Sequence, residues 1–169
     1  MRYACCLLAL VLAVFSPSAF AKGACYAPTQ MEAEQWLRLH SELMVITLTC
    51  GQGSGGQDLP TAYGRFTQNN IGVLHNAEQT MIAWYKKTGK GNPVARLDHL
   101  RTRLGNEFGQ KVADMTAPNF CAAYRDKVWQ LASAPVDEVD QQVRVMDTAG
   151  VSYVPLCREG RSVVARKGG

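Results

Sequence analysis

The residues of this chain that are best suited to chemistry are its cysteines. Four of them are spread along the chain: Cys25, Cys50, Cys121 and Cys157. The other two, Cys5 and Cys6, lie in an apolar N-terminal stretch. An even number of dispersed cysteines is typical of structural disulfides in an oxidising compartment. The sequence contains no Cys-x-x-Cys pair, so it does not support a thioredoxin-type redox centre or a c-type haem site.

Histidine and methionine are the next candidates, as ligands of a metal or a haem. No two of His40, His75 and His99 have the i, i+4 spacing of a metal pair on one helix. A helical bundle can hold haem between a methionine and a histidine of different helices, and Met44 or Met81 with His99 are formally available. We expect ordinary core methionines and surface histidines instead, so we assign no metal-binding or cofactor-binding residue.

Paired carboxylates would allow glycoside hydrolysis, which needs an acid in an apolar cleft beside a second carboxyl group. Four candidates fall in predicted helices: Glu32, Glu34, Glu42 and Glu107. Glu42 is the strongest, because Leu43 and Met44 follow it. Our preferred interpretation is that Glu42 faces solvent in an i, i+4 pair with Arg38. No Gly-x-Ser-x-Gly or His-Glu-x-x-His motif is present, and we assign no catalytic residue.

The N-terminal 21 residues predict a secretory signal peptide. Arg2 supplies the positive charge, residues 7–15 the apolar run and Ala19-Phe20-Ala21 the small-residue cleavage pattern. The apolar run is shorter than the roughly 20 residues that a membrane-spanning helix needs. We therefore expect a mature chain that begins at Lys22, without Cys5 and Cys6, in the periplasm or secreted.

The elements that must position the remaining residues are helices. Apolar residues recur at spacings of three and four, which predicts five helical segments: Thr29 to Cys50, Pro60 to Thr88, Asn92 to Met115, a fourth that opens at Pro118, and a short fifth over residues 136–146. Residues 51–56 include four glycines and form a predicted loop. His40 and Asn70 fall near apolar faces and are interpreted as hydrogen-bonded polar core residues.

The sequence pattern changes from helical to extended, and the composition becomes basic, after Gly150. Residues 151–157 read as extended, and four basic residues, Arg158, Arg161, Arg166 and Lys167, then face only Glu159. Residues 22–150, in contrast, hold 13 Lys and Arg and 13 Asp and Glu. The predicted fold is an all-α antiparallel bundle of four to five helices over residues 22–150. An extended basic tail over residues 151–169 packs on the bundle or trails from it, and an acidic envelope surface is one possible partner for it.

The helix order favours one disulfide pairing. Cys50 ends the first predicted helix and Cys121 lies in the first turn of the fourth, so a bond between them would join two helix ends. Cys25 and Cys157 would then pair and clamp the tail to the start of the bundle. Four cysteines allow three connectivities, and the alternatives join Cys25 to Cys50 or to Cys121.

Three short segments carry a resemblance: residues 43–50, Tyr63-Gly64-Arg65-Phe66 and Asn119-Phe120-Cys121. They resemble a group of small secreted proteins of proteobacteria, over roughly residues 25–125. The resemblance implies the arrangement of helices and cysteines that are able to pair. The group has no assigned activity, so no binding or catalytic residue is carried over.

We therefore expect a non-catalytic periplasmic or secreted protein that binds another component of the cell envelope. Trp84 and Trp129 are candidate contact residues, because each borders an apolar stripe beside charged neighbours, although core packing is the simpler explanation. The alternatives are a hydrolase of envelope polymers and a haem or metal carrier. No nucleic acid partner and no membrane-spanning segment in the mature chain are expected.

Overall fold

The computed structural model describes residues 25–51, 58–148 and 152–157. These residues form six helices: α1 Pro28–Cys50, α2 Leu59–Asn69, α3 Ile71–Thr88, α4 Pro93–Met115, α5 Ala117–Ser133 and α6 Val136–Thr148. The prediction of an all-α bundle is confirmed. The predicted signal peptide (1–21), most of the glycine-rich loop (52–57) and the basic residues after 157 lie outside the described residues.

The second predicted helix is wrong as a single element, because it divides at Asn70 into α2 and α3. Asn70 has φ −108° and ψ 12°, outside the helical range. Its side-chain amide donates to the carbonyl oxygen of Phe66 at 2.8 Å, which its backbone N–H also contacts at 3.1 Å. Asparagine often ends a helix in this way, because its side chain competes for backbone partners. The described residues therefore form six helices, close to the predicted bundle of four to five.

Helix α1 is the centre of the bundle and packs against each of the other five helices. Its large apolar side chains Trp36, Leu37, Leu39, Leu43 and Ile46 are all buried and point in several directions around the helix. A helix that is buried on most sides also has to bury polar side chains, and α1 buries Glu34, Arg38 and Glu42. These residues become the starting point for the site.

Long-range contacts give the helix directions and confirm the preferred disulfides. Cys50 is bonded to Cys121, and Lys127 contacts Glu42, so α5 runs antiparallel to α1. Glu78 contacts Arg101 and the Tyr85 carbonyl oxygen accepts from Arg96, so α3 and α4 are also antiparallel. The second disulfide joins Cys25 to Cys157. None of the helices in the described ranges is long and apolar enough to cross a membrane.

Residues 152–157, which we call the strap, return to the start of the bundle. Leu156 forms a parallel bridge with Tyr26. The N–H of Tyr26 donates to the Pro155 oxygen at 2.9 Å, and the N–H of Cys157 donates to the Tyr26 oxygen at 2.8 Å. The strap is thus fixed beside α1 by one disulfide and a short backbone ladder.

Two glycines inside α4 lower its stability without an evident packing role. A Cβ added at Gly105 or Gly109 would meet nothing within 4 Å. Glycine costs roughly 0.5–1 kcal/mol relative to alanine inside a helix. We expect the Gly105→Ala/Gly109→Ala double variant to raise the free energy of unfolding by about 1–2 kcal/mol in urea titrations.

Gly51→Ala is the matched control for this prediction. A Cβ at Gly51 would lie 2.5 Å from the Thr47 oxygen, so this change should destabilise the protein. A loss of stability in the α4 double variant would contradict the open space at its two glycines.

Candidate functional site

A network of largely buried ion pairs and hydrogen bonds lies between α1 and α4. Arg38 donates to both carboxylate oxygens of Glu107 at 2.6 Å, and to Glu34 Oε1 at 3.3 Å. The side chains of Arg38 and Glu34 are 2% and 0% exposed, whereas that of Glu107 is 30% exposed. Buried charges need such partners, since an unpaired one carries a large desolvation cost.

The strap completes this network through Tyr153. Its phenol donates to Glu107 Oε2 at 2.8 Å, and its backbone N–H donates to Glu34 Oε1 at 3.3 Å. The guanidinium of Arg103 lies 3.6 Å from the centre of the Tyr153 ring, and that of Arg38 lies 5.2 Å from it. We call these five residues the charged cluster. Each of the five residues contacts at least one of the others, so the cluster connects the strap to the bundle.

Titration behaviour is consistent with that role. Burial opposes ionisation of Glu107, but the hydrogen bonds from Arg38 and Tyr153 outweigh it and lower the pKa of the carboxyl group. Burial raises the pKa of Tyr26 far above its usual range, and the nearby Glu34 carboxylate and Tyr85 raise it further. Glu107 is therefore held as a carboxylate and Tyr26 as a neutral phenol at physiological pH.

Glu42 does not occupy the solvent-facing position that the sequence suggested. The residue is 5% exposed and accepts a hydrogen bond from Lys127 of α5 at 2.7 Å. Arg38, its expected partner, contacts Glu34 and Glu107 instead. The interpretation of Glu42 as a solvated partner of Arg38 is wrong, because α5 covers this side of α1.

His40 lies in a second, smaller polar cluster. Its Nε2 is 2.8 Å from the Tyr63 hydroxyl and 3.4 Å from the Thr67 hydroxyl, both on α2. Burial and then the charge of Arg101 lower the pKa of His40, while Glu78 acts in the opposite direction. The described ranges contain no group of three or more His, Cys, Asp and Glu side chains that could hold a metal ion.

The other predicted residues are distributed over the bundle. Met81 is fully buried and His99 is exposed, so these two side chains face different environments. Trp84 and Trp129 are both partly exposed and packed against the core, on α3 and α5. The indole of Trp84 donates to the Cys25 oxygen at 3.4 Å. The two tryptophans thus lie on different helices, and their role as contacts stays a prediction.

A groove between the N-terminal half of α1 and α3 was not anticipated from the sequence. Its volume is about 150 Å³, and it is lined by Thr29, Glu32, Ala33, Trp36, Val73, Asn76, Ala77 and Thr80. Small side chains line it from both helices, Ala33 from α1 and Ala77 from α3. Arg144 of α6 reaches Glu32 at 3.8 Å, so α6 borders the groove. The sequence carries no distinctive signal for it, because an alanine fits any helix.

Trp36 adds an unpartnered donor to the residues that line the groove, a property that it shares with Trp129 among the described residues. Trp36 is 2% exposed, and its indole N–H has no hydrogen-bond partner among the residues that the structure describes. Trp84 lies one helical turn beyond Thr80 on the same face of α3, but it is not among the residues that line the groove. The groove therefore combines apolar walls, several polar side chains and a buried donor.

The comparisons with known proteins found no relative of this chain. No family model, no curated protein and no solved structure matches the chain. The resemblance to small secreted proteins of proteobacteria therefore stays a prediction.

Proposed function

We propose that this protein is a non-catalytic binding protein of the periplasm or the secreted space, and that the groove between α1 and α3 is its ligand site. Two disulfides support an oxidising extracytoplasmic compartment. The predicted signal peptide would deliver the chain there.

The buried indole N–H of Trp36 is the observation that carries the proposal. A buried donor without an acceptor costs free energy, and such groups are uncommon in folded proteins. Trp36 also lines the groove. The N–H itself is sealed from solvent, so we propose that binding shifts the Trp36 ring enough for an acceptor oxygen of a polar ligand to reach this donor.

The size and lining of the groove favour a saccharide unit. Its volume of about 150 Å³ is below the several hundred Å³ of sites that enclose a drug-sized ligand, so it suits one unit of a larger polymer. Sugar hydroxyls both donate and accept hydrogen bonds, which matches the side chains of Thr29, Asn76 and Thr80. Ala77 and Val73 offer apolar contact to the C–H groups of a ring.

The carboxylates support binding without hydrolysis. Glu34, Glu42 and Glu107 are each held by Arg38 or Lys127 inside the bundle. Glu32 is the single carboxylate among the residues that line the groove. Glycoside hydrolysis requires two carboxyl groups at a defined separation, so this lining favours a binding site over a hydrolase.

The test is a titration of the ¹⁵N-labelled protein with soluble saccharide fragments of bacterial envelope glycan. The chain has three tryptophans, so its spectrum contains three indole N–H signals. We expect the Trp36 signal to shift on saturation. We expect Asn76→Trp, which fills the groove from an exposed position, to weaken binding at least tenfold.

Gln79→Trp is the matched control, since Gln79 is exposed on the same helix but does not line the groove. It should bind as the unaltered protein does. Equal binding by both variants, or an unshifted Trp36 signal, would rule out the groove as the ligand site. Shortened glycan fragments in the mass spectrum after incubation would overturn the non-catalytic proposal and restore the hydrolase alternative.

A further inference from the structure

The strap is attached to the bundle by few contacts for its length. Apart from the bond between Cys25 and Cys157, two backbone hydrogen bonds join it to Tyr26. The remaining polar contacts to the bundle come from Tyr153, which reaches Glu34, Glu107 and the Arg103 carbonyl oxygen. The polar attachment of these six residues thus centres on one tyrosine and one disulfide, and the side chains of Tyr153 and Val154 also pack against the core.

The two disulfides differ in their access to solvent. Cys25 and Cys121 are both partly exposed, but their partners differ: Cys157 is exposed, whereas Cys50 is 7% exposed at the end of α1. Thiol–disulfide exchange requires a thiolate to reach one of the sulfur atoms, so access governs which bond is attacked first. A dithiol should therefore open Cys25–Cys157 before Cys50–Cys121.

The strap also keeps water from buried charges. Glu34 is fully buried and accepts from the Tyr153 N–H, and Arg38 lies beside the Tyr153 ring. Charges that are removed from water carry a desolvation cost, so opening this site to water stabilises the separated groups. Without the disulfide, the hydrogen bonds, the arginine contacts of the Tyr153 ring and the partial burial of Tyr153 and Val154 would have to offset both this hydration and the conformational entropy of six residues. We expect them to be insufficient.

We propose that the Cys25–Cys157 disulfide is a redox-controlled lock, and that its reduction releases the strap and opens the charged cluster to solvent while the helices stay folded. The reductant is a dithiol, such as a dithiol oxidoreductase of the same compartment. Its thiolate attacks one sulfur and forms a mixed disulfide, and its second thiol displaces the protein. The S–S bond gains two electrons and two protons to give two cysteine thiols, and the dithiol leaves as a disulfide.

The experiment is a titration of the oxidised protein with dithiothreitol, in which free thiols are trapped by alkylation and located by mass spectrometry. We expect Cys25 and Cys157 to be alkylated at a dithiothreitol concentration at least tenfold lower than Cys50 and Cys121. At that point, hydrogen exchange at the amides of Tyr26, Tyr153 and Cys157 should be at least tenfold faster. The amide of Leu43 and the helical circular dichroism should be unchanged.

Two variants separate the lock from general unfolding. Cys25→Ala/Cys157→Ala should show the fast strap exchange without any reductant, and Cys50→Ala/Cys121→Ala should keep the strap protected until dithiothreitol is added. If the second variant does not fold, the titration of the unaltered protein still decides. Earlier or simultaneous reduction of Cys50–Cys121 would overturn the proposal, and so would strap amides that stay protected after Cys25–Cys157 has opened.

Discussion

Replacement of Arg38 by methionine is expected to lower the free energy of unfolding by about 3–5 kcal/mol, which is the usual cost of removing one partner of a buried ion pair. Arg38 is 2% exposed and is the cation that contacts both Glu34 and Glu107. Methionine keeps most of the side-chain volume, so the loss reports the charge and its hydrogen bonds. Urea unfolding followed by circular dichroism at 222 nm measures this loss.

The cause of the loss can be isolated by also neutralising Glu34, whose charge is left without a cation in Arg38→Met. In Arg38→Met, the fully buried Glu34 has no cation beside it, whereas Glu107 is partly exposed and can be hydrated. Glu34→Gln/Arg38→Met should therefore be more stable than Arg38→Met alone, even though it contains one more substitution. Equal or lower stability of the double variant would show that packing, and not the buried charge, dominates.

Arg144→Met is the matched control for the same chemical change at the surface. Arg144 contacts Glu32 and Asp140, but its side chain is 64% exposed. Exposed ion pairs contribute little, so the unfolding midpoint of this variant should be unchanged. A comparable loss at both arginines would contradict the special role of Arg38.

Most of the helices could be predicted because local signals mark them. The proline at the start of α4 follows Asn92, whose side chain accepts from the Val94 N–H at 2.9 Å, and the apolar stripe of α4 runs uninterrupted to its end. The break at Asn70 could not be predicted from periodicity, since the apolar spacing continues across it. It depends on one side-chain hydrogen bond to Phe66, which the spacing does not record.

The charged cluster could not be predicted from the sequence for a different reason. The i, i+4 spacing of Glu34 and Arg38 is visible in the sequence, but the same spacing is common on solvent-facing helices. Burial of this pair depends on α4 and on a tyrosine that lies 119 residues after Glu34. A signal was nevertheless present, because the apolar residues of α1 occupy more than one face, which indicates a central helix.

The groove illustrates the limit of sequence patterns most clearly. Ala33 and Ala77 fit any helix, and their small size has a consequence only because both line the same groove. The burial of Trp36 agrees with its place among the apolar residues of α1. That its indole N–H lacks a partner among the described residues is a property of the tertiary environment, so it has no counterpart in the spacing of residues.

Loss of the Cys50–Cys121 disulfide is expected to lower the free energy of unfolding by roughly 4 kcal/mol. The bond closes a loop with a sequence separation of 71, and in the chain-entropy model its removal stabilises the unfolded chain by this amount. In the folded protein it joins the end of α1 to the first turn of α5, both of which pack in the core. We expect the folded state of Cys50→Ala/Cys121→Ala to keep its helices in place and to gain no compensating freedom.

Cys25→Ala/Cys157→Ala is the variant whose loss of stability is compared with that of Cys50→Ala/Cys121→Ala. The two separations are 132 and 71, so loop length alone predicts the larger loss for this variant, by roughly 0.6 kcal/mol. If the strap is released in about nine of ten folded molecules, however, the folded state is itself stabilised by about 1.4 kcal/mol, the value of a tenfold ratio. The variant with the longer loop should then lose less stability than the variant with the shorter one. A loss that instead follows loop length, measured in the same urea titration, would mean that the strap stays closed without its disulfide.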